Sequence, residues 1–367
     1  MLEQFHVKEE DAVRVREDAL RSTVTQIFQK VNVPPADAAL ATDVLVTADV
    51  RNVDSHGVSN MLRAYVSGYN SGEINARPNW RIVRQTPATA NVDSDAGLGI
   101  IVTPKAMEIA IEKARNVGLG MVTVSNGRHL GMASYHAMMA LEHDMIGVCM
   151  TGCPPSVLPT FGAEPRLGTN PIALAAPAGE EPPFVFDAAT SVVAGNKLGL
   201  ASRLGVDLLP GWVADLDGTP LMEPVPMSSE WAPGAEKQYH QLALGSTREM
   251  GSHKGYGLGC VVDILTGPLS GTAFGMVPGR PNFSHMVAAY RIDAFTDVDR
   301  FKSLMDDFLR ALRTTTPAPG AERVLYPGLA EREAEVDRRA NGIPLHREVL
   351  EWFKDTCSEM DIPYILS

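Results

Sequence analysis

The chain has 367 residues, 45% of them hydrophobic and 21% charged, which excludes global disorder and asks for more than one hydrophobic core. A formal net charge of -12 sets the surface against nucleic acid and anionic lipid, so neither is an expected partner; a small anionic substrate would need a local basic pocket. The four scattered cysteines form no CxxC pair, and no apolar run approaches the roughly 18–20 residues of a membrane span. With no signal-like N-terminus, the expected setting is a reducing, cytoplasmic one with no metal site.

In chain order, Val13, Val15, Leu20, Val24, Ile27 and Phe28 keep helical spacing, which predicts a helix over 8–31. Pro34 and Pro35 open a second helix to about Val50, and a third carries Met61, Leu62, Tyr65 and Val66. Glycine pairs at 97/99 and 118/120 then bracket a helix over 104–116. Apolar runs at 121–124, 146–150, 171–175 and 184–186, each bounded by Gly, Pro, Asn or Asp, predict buried strands, with a helix over 133–143 between the first two. Residues 202–250 read as long loops, with a hairpin near Asp215 to Gly218. A helix from Tyr256, a strand over 285–292, and helices over 297–313 and 343–360 complete the chain. Helical ends around an α/β middle imply a discontinuous helical lobe, 1–75 with 300–367, and a second domain over 76–299.

Five segments hold the residue types that chemistry needs. Asp54-Ser55-His56-Gly57 joins two helices; a histidine there suits proton transfer near neutral pH, and Asp54 or Ser55 serves equally as a helix N-cap. Gly127-Arg128-His129-Leu130-Gly131 follows a strand, where functional loops of α/β proteins gather, although a backbone-bonded loop histidine reads the same way. Gly168-Thr169-Asn170-Pro171 precedes a strand. Asp187-Ala188-Ala189-Thr190-Ser191, then Gly195-Asn196-Lys197, ends another with small and hydroxylated residues that admit a ribose or phosphate or simply cap a turn. His253-Lys254-Gly255-Tyr256-Gly257-Leu258-Gly259 opens a helix whose N-terminal amides favour anions, or whose glycines allow close packing. His136, His143, His240 and His285 lack such settings and read as surface or packing residues. No GxGxxG follows a strand, so the ordinary dinucleotide fingerprint is missing, as are a Walker motif and an HExxH zinc motif.

In this order, and with Tyr326-Pro327-Gly328 and Arg338 to Ile343 near the end, the segments resemble the type 2 malate/L-lactate dehydrogenase family, which includes ureidoglycolate, sulfolactate and diketogulonate oxidoreductases and a cyclic-imine carboxylate reductase. The resemblance implies an α/β fold with a non-Rossmann nicotinamide-binding domain on a mixed, largely antiparallel sheet, a helical lobe from both chain ends, and a homodimer. It implies NAD or NADP as cofactor and hydride transfer to or from a small 2-hydroxy acid. His56 matches the proton donor to the substrate carbonyl and His129 a second acid/base histidine, with Ser55 beside the substrate. Asp187, Ala188, Ala189, Lys197, Lys254, Gly255, Pro327 and Gly328 match cofactor-side positions, together with Cys153, Thr169 and Asn170. Two positions depart from the family pattern. Asn60 stands where many members carry the arginine that grips the substrate carboxylate, which leaves Arg63, one turn on, as the expected anchor. Thr151-Gly152-Cys153 replaces a common Thr-Asn-Ser. The rival readings are a cyclic-imine carboxylate reductase on the same fold, a non-redox acid/base enzyme using both histidines, and a non-catalytic binding protein.

Overall fold

The computed structural model describes residues 3–227, 239–272, 274 and 283–366. β1 (Ala12–Val15) leads into α1 (Glu17–Lys30), α2 (Pro35–Val50) and α3 (Val58–Asn70). Pro35 takes the first position of α2, where its missing N–H leaves no bond unmade. One tight turn, Asp54–His56, separates α2 from α3. The middle of the chain runs β2 (Arg81–Gln85), β3 (Thr89–Asp93), α4 (Gly99–Val117), β4 (Leu119–Gly127), α5 (Ala133–Met138), β5 (Met145–Gly152), β6 (Ile172–Ala176) and β7 (Phe184–Ala188). Next come α6 (Gly195–Leu204), the short strands β8 (Val213–Ala214) and β9 (His240–Gln241), α7 (Ser252–Thr266) and β10 (Phe283–Arg291). The chain closes with α8 (Val298–Arg313), α9 (Leu329–Asn341), β11 (Ile343–His346) and α10 (Arg347–Glu359).

Among the described residues, seven strands form the central sheet in the order β2-β3-β4-β10-β5-β6-β7, and only β3 and β4 run parallel. β10 sits at its middle, with Val287 opposite both Val122 and Cys149. Period-two alternation along β10 divides the sheet into two faces. Val287 and Ala289 join Val122, Cys149 and Ala173 under α4 and α5, whereas Met286 and Ala288 face the other way with Val148 and Leu265 of α7. A separate core gathers Leu20, Val24, Ile27 and Phe28 of α1 and Leu45 and Leu62 of α2 and α3, with Val349 and Phe353 of α10. A third, smaller cluster places Phe5 against Trp212, with Leu200 and Val213.

The structure departs from the expected elements in several places. Val13 and Val15 belong to a strand, because β1 pairs antiparallel with β11, Val13 opposite Leu345; the helix expected over 343–360 correspondingly begins only at Arg347. α4 starts at Gly99 rather than Pro104, and the proline lies inside it. α6 and α9 are helices where turns and loops were expected. Within 202–250 the predicted turn forms at Asp215 to Gly218, where the Gly218 amide donates to the Asp215 carbonyl at 2.9 Å and Ala214 bridges Pro220, while β8 pairs separately with the distant β9; residues 228–238 lie outside the described residues. α8 stands apart from the core shared by the chain ends: its Asp306 carboxylate accepts the amides of Gly179, Glu180 and Glu181 at 2.9–3.0 Å.

Candidate active site

The two predicted histidines come from opposite parts of the fold and meet with their rings nearly parallel, 11° apart in plane and 5.6 Å between centroids. His129 belongs to the loop after β4, which is fixed from three sides. The imidazole of buried His285, on β10, receives the Thr151 hydroxyl on Nδ1 at 2.8 Å and donates from Nε2 to the Arg128 carbonyl at 3.0 Å. His136 donates from Nε2 to the Leu130 carbonyl at 2.8 Å. α4 presses its first residue onto the same loop: a Cβ on Gly99 would lie 2.4 Å from the Arg128 oxygen and 2.8 Å from the His129 carbonyl carbon. The sequence reads His136 and His285 as surface or packing residues; both are fully buried, and they hold the carbonyls on either side of His129. Only their residue type hinted at this, since each sits in an ordinary apolar helix or strand.

The tautomer of His129 follows from its partners. The Gly131 amide must donate, and it points at Nδ1 from 3.2 Å; Tyr65, whose buried hydroxyl is pushed well above its usual pKa by desolvation, donates to the same atom at 2.7 Å. Nδ1 is therefore an acceptor and Nε2 carries the proton. Phe283 packs edge-on against the ring, centroids 5.5 Å apart. Burial, then the neighbouring His56 and His285, holds the His129 pKa well below the ordinary value.

His56 is placed by its turn. Its Nδ1 lies 2.9 Å from the Ser55 hydroxyl, and the Asn196 amide of α6 holds the Ser55 carbonyl at 2.9 Å. Desolvation and then the Lys197 ammonium lower its pKa to about 4. Burial also lowers the pKa of Lys197, in the first turn of α6, and its ammonium has no ion-pair or hydrogen-bond partner among the described residues.

The expected carboxylate anchor is engaged elsewhere. Arg63 extends toward α10, its Nη2 2.6 Å from the Glu348 carboxylate and its guanidinium 5.2 Å over the Trp352 ring. Position 63 lies on the face of α3 that packs on α10, which spacing along α3 alone does not reveal. Asn60 is also committed: its Nδ2 donates to the Asp54 carbonyl at 3.1 Å, and its Oδ1 accepts from Arg203 at 2.9 Å.

The remaining predicted positions form a neighbouring cluster. The Cys153 amide donates to Asn170 Oδ1 at 2.9 Å, and Asn170 Nδ2 donates to the Gly259 carbonyl of α7 at 3.0 Å, so both ends of the Asn170 amide staple protein to protein. Thr169 brings its hydroxyl 3.8 Å from Cys153 Sγ and accepts the Thr190 amide on its carbonyl at 2.8 Å. Asp187 accepts the Ser134 amide at 2.7 Å, followed by the small Ala188 and Ala189. Pro327 and Gly328 lie along β7, where the Val185 amide donates to the Pro327 carbonyl at 3.0 Å. Gly255 abuts Leu244, leaving no room for a Cβ, and exposed Lys254 beside it has no anionic partner among the described residues.

Residues 15–354 match the family model described as malate/L-lactate dehydrogenase. A malate dehydrogenase of Pyrococcus abyssi is 39% identical over 360 residues, spanning 96% of each chain. An L-sulfolactate dehydrogenase of Methanocaldococcus jannaschii is 33% identical, spanning 93% of this chain and 96% of its own. The solved structure of malate dehydrogenase from Pyrococcus horikoshii OT3 superposes with a TM-score of 0.87 at 35% identity, over 98% of this chain and 99% of that one. The family match and the relatives define a 2-hydroxy acid dehydrogenase. The chain belongs to the malate/L-lactate dehydrogenase family.

Proposed function

We propose that the chain moves a hydride between the nicotinamide of NAD or NADP and C2 of a small 2-hydroxy acid/2-oxo acid pair, with His56 as the proton-transfer group. The observation that carries this reading is the pair of facing imidazoles beside an unpaired ammonium. When bound, the nicotinamide supplies the hydride acceptor or donor, and the protein supplies position and proton. The residues present fit such a cofactor: the exposed Lys254 ammonium has no anion among the described residues, in a chain of net charge -12, and a pyrophosphate carries matching negative charge. Asp187, Ala188, Ala189, Pro327 and Gly328 would hold it along the end of β7, with Cys153, Thr169, Asn170 and Gly255 beside them. With one parallel strand pair in the sheet and no GxGxxG, the holding is non-Rossmann.

The proton logic follows from the two rings. In the tautomer that donates Nδ1–H to the Ser55 hydroxyl, His56 keeps a lone pair on Nε2, and a pKa of about 4 leaves it neutral at pH 7, ready to take the hydroxyl proton as the hydroxy acid is oxidised. His129 offers Nε2–H to the same substrate oxygen. In the reducing direction His56 must be protonated first. A substrate carboxylate brings negative charge beside it and raises its pKa, so anion binding and proton uptake are coupled. With Arg63 and Asn60 engaged, we assign that carboxylate to Lys197.

Leu258, Val261 and Ile264 stand exposed at three-residue spacing along α7, an apolar stripe that suits a second copy of the chain, so the assembly we propose is a homodimer. No helix among the described residues is long and apolar enough to cross a membrane. Titrating the purified protein with NADH and NADPH, with quenching of tryptophan fluorescence as readout, tests the reading. Saturable binding of either supports it and names the preferred cofactor. A folded protein that binds neither overturns it.

A further inference from the structure

We propose that Arg338 is a positioning residue for proton transfer, and that α9 is the bar through which it holds the His56 turn at a fixed distance from the cofactor segment of β7. This rests on the reading of His56 as the proton-transfer group.

At one end of α9, the buried Arg338 guanidinium spans the turn. Nη1 donates to Asp54 Oδ1 at 2.6 Å and to the Asp49 carbonyl; Nη2 donates to Asn52 Oδ1 at 2.6 Å and to Asp54 Oδ2 at 3.3 Å. The far side of the turn is closed by Asp49, whose Oδ2 accepts the Val58 amide at 2.8 Å. Its Oδ1 leaves no space at Gly57, where a Cβ would lie 2.0 Å away. His56 lies between these two fixed points, two residues after Asp54 and one before Gly57.

The other end of α9 is fixed to the cofactor side. Gly328, with φ +97, caps the helix against β7, where a Cβ would meet the Val185 amide nitrogen at 2.8 Å. Val185 is two residues before Asp187. From Leu329 to Arg338 the helix spans about 13–14 Å at about 1.5 Å per residue. One turn before Arg338, Glu335 binds Arg51 at 2.8 Å, with both side chains largely buried, so the same face of α9 holds the α2–α3 junction twice.

Stability alone does not require this arrangement. A buried guanidinium between carboxylates is no more stabilising than a well-packed apolar set, but it fixes geometry through a planar fork that lysine cannot reproduce. A displacement on the order of 1 Å at a reacting group costs about 10²-fold in rate.

The test is a double-variant cycle of Arg338→Met and His56→Ala, with Arg338→Lys alongside. It reads kcat, KM, dinucleotide Kd by tryptophan quenching, and urea midpoint. The expected result is that folded Arg338→Met binds the dinucleotide within about 2-fold of the parent while kcat falls on the order of 10²-fold. Arg338→Lys should recover part of that loss. The double variant should be no slower than His56→Ala, because Arg338 acts through that ring. Losses that multiply in the double variant, or a folded Arg338→Met with kcat within about 2-fold of the parent, overturn the proposal. If Arg338→Met does not fold, the same cycle run with Arg338→Lys decides on the same criteria. His56→Ala with parental kcat would bring down the proton-transfer reading and this proposal with it; an impaired His56→Ala with an additive cycle brings down this proposal alone.

Discussion

The two histidines are held by opposite kinds of interaction. The His129 loop is framed by neutral groups: His285 and His136 pin the carbonyls on either side of it, and α4 packs on it through a glycine. The His56 turn is framed by charge, with Arg338 and Asp54 on one side and Asp49 on the other. Burial and then Asp54 push the Asp49 carboxyl well above its usual pKa, on the side of the turn away from the Arg338–Asp54 ion pair. A neutral frame is local and belongs to the sheet. The charged one reaches to the last quarter of the chain and joins the turn to the helix that caps β7. The difference teaches that one acid/base group can be fixed within a loop's own neighbourhood while the other depends on a distant helix.

The largest expected effect is at His56 itself: His56→Ala should lower kcat by roughly 10²–10⁴-fold with dinucleotide binding intact, measured by steady-state kinetics beside fluorescence titration. An unchanged kcat would move the role to His129 and leave the charged frame without a catalytic purpose. Next comes the neutral frame. His285→Phe removes the donor to the Arg128 carbonyl and should reduce stability by about 1–3 kcal/mol, read as a lower urea midpoint, because a buried acceptor is left unmatched.

The pH dependence separates the frames further. Burial and then His136 depress the His285 pKa to about 3 from an ordinary 6.5. A histidine depressed on folding binds its proton more readily when unfolded. Its contribution is therefore complete above pH 6.5 and is lost as pH falls from 6.5 toward 3, on the order of 5 kcal/mol in all. The urea midpoint of the parent should fall more steeply than that of His285→Phe between pH 7 and pH 4; parallel slopes would count against a buried neutral His285. The smallest effects concern the substrate anion. Lys197→Met should raise KM for a 2-oxo acid about 10-fold or more, and Arg63→Gln less than about 3-fold, since Arg63 is held by Glu348 and Trp352. The reverse order would restore Arg63 as the anchor.

Much of the site was legible as a set of residues, and less of it as an arrangement. His56 and His129 stood out because glycines and polar neighbours punctuated their segments, and the missing GxGxxG agrees with a sheet having a single parallel pair. The frames were not legible. His285 sits in β10 as one member of an apolar alternation, and Arg338 is separated from Asp54 by 284 residues of sequence. No local pattern encodes either contact. The same reason hid β1 and β11, four-residue strands that pair only with each other from opposite chain ends. The Arg63–Glu348 pair was not legible either, because helical spacing gives a residue's direction around its own axis and not which neighbour that direction meets.

The central claim is most directly tested by proton uptake on substrate binding. Calorimetric titration of a 2-oxo acid into the protein–dinucleotide complex at pH 6, repeated in buffers of different ionisation enthalpy, counts the protons taken up. The expected result is net uptake of a fraction of a proton, abolished in His56→Ala, because a carboxylate beside His56 raises a pKa that is about 4 in the free site. Binding without proton uptake, or uptake that survives in His56→Ala, would contradict it.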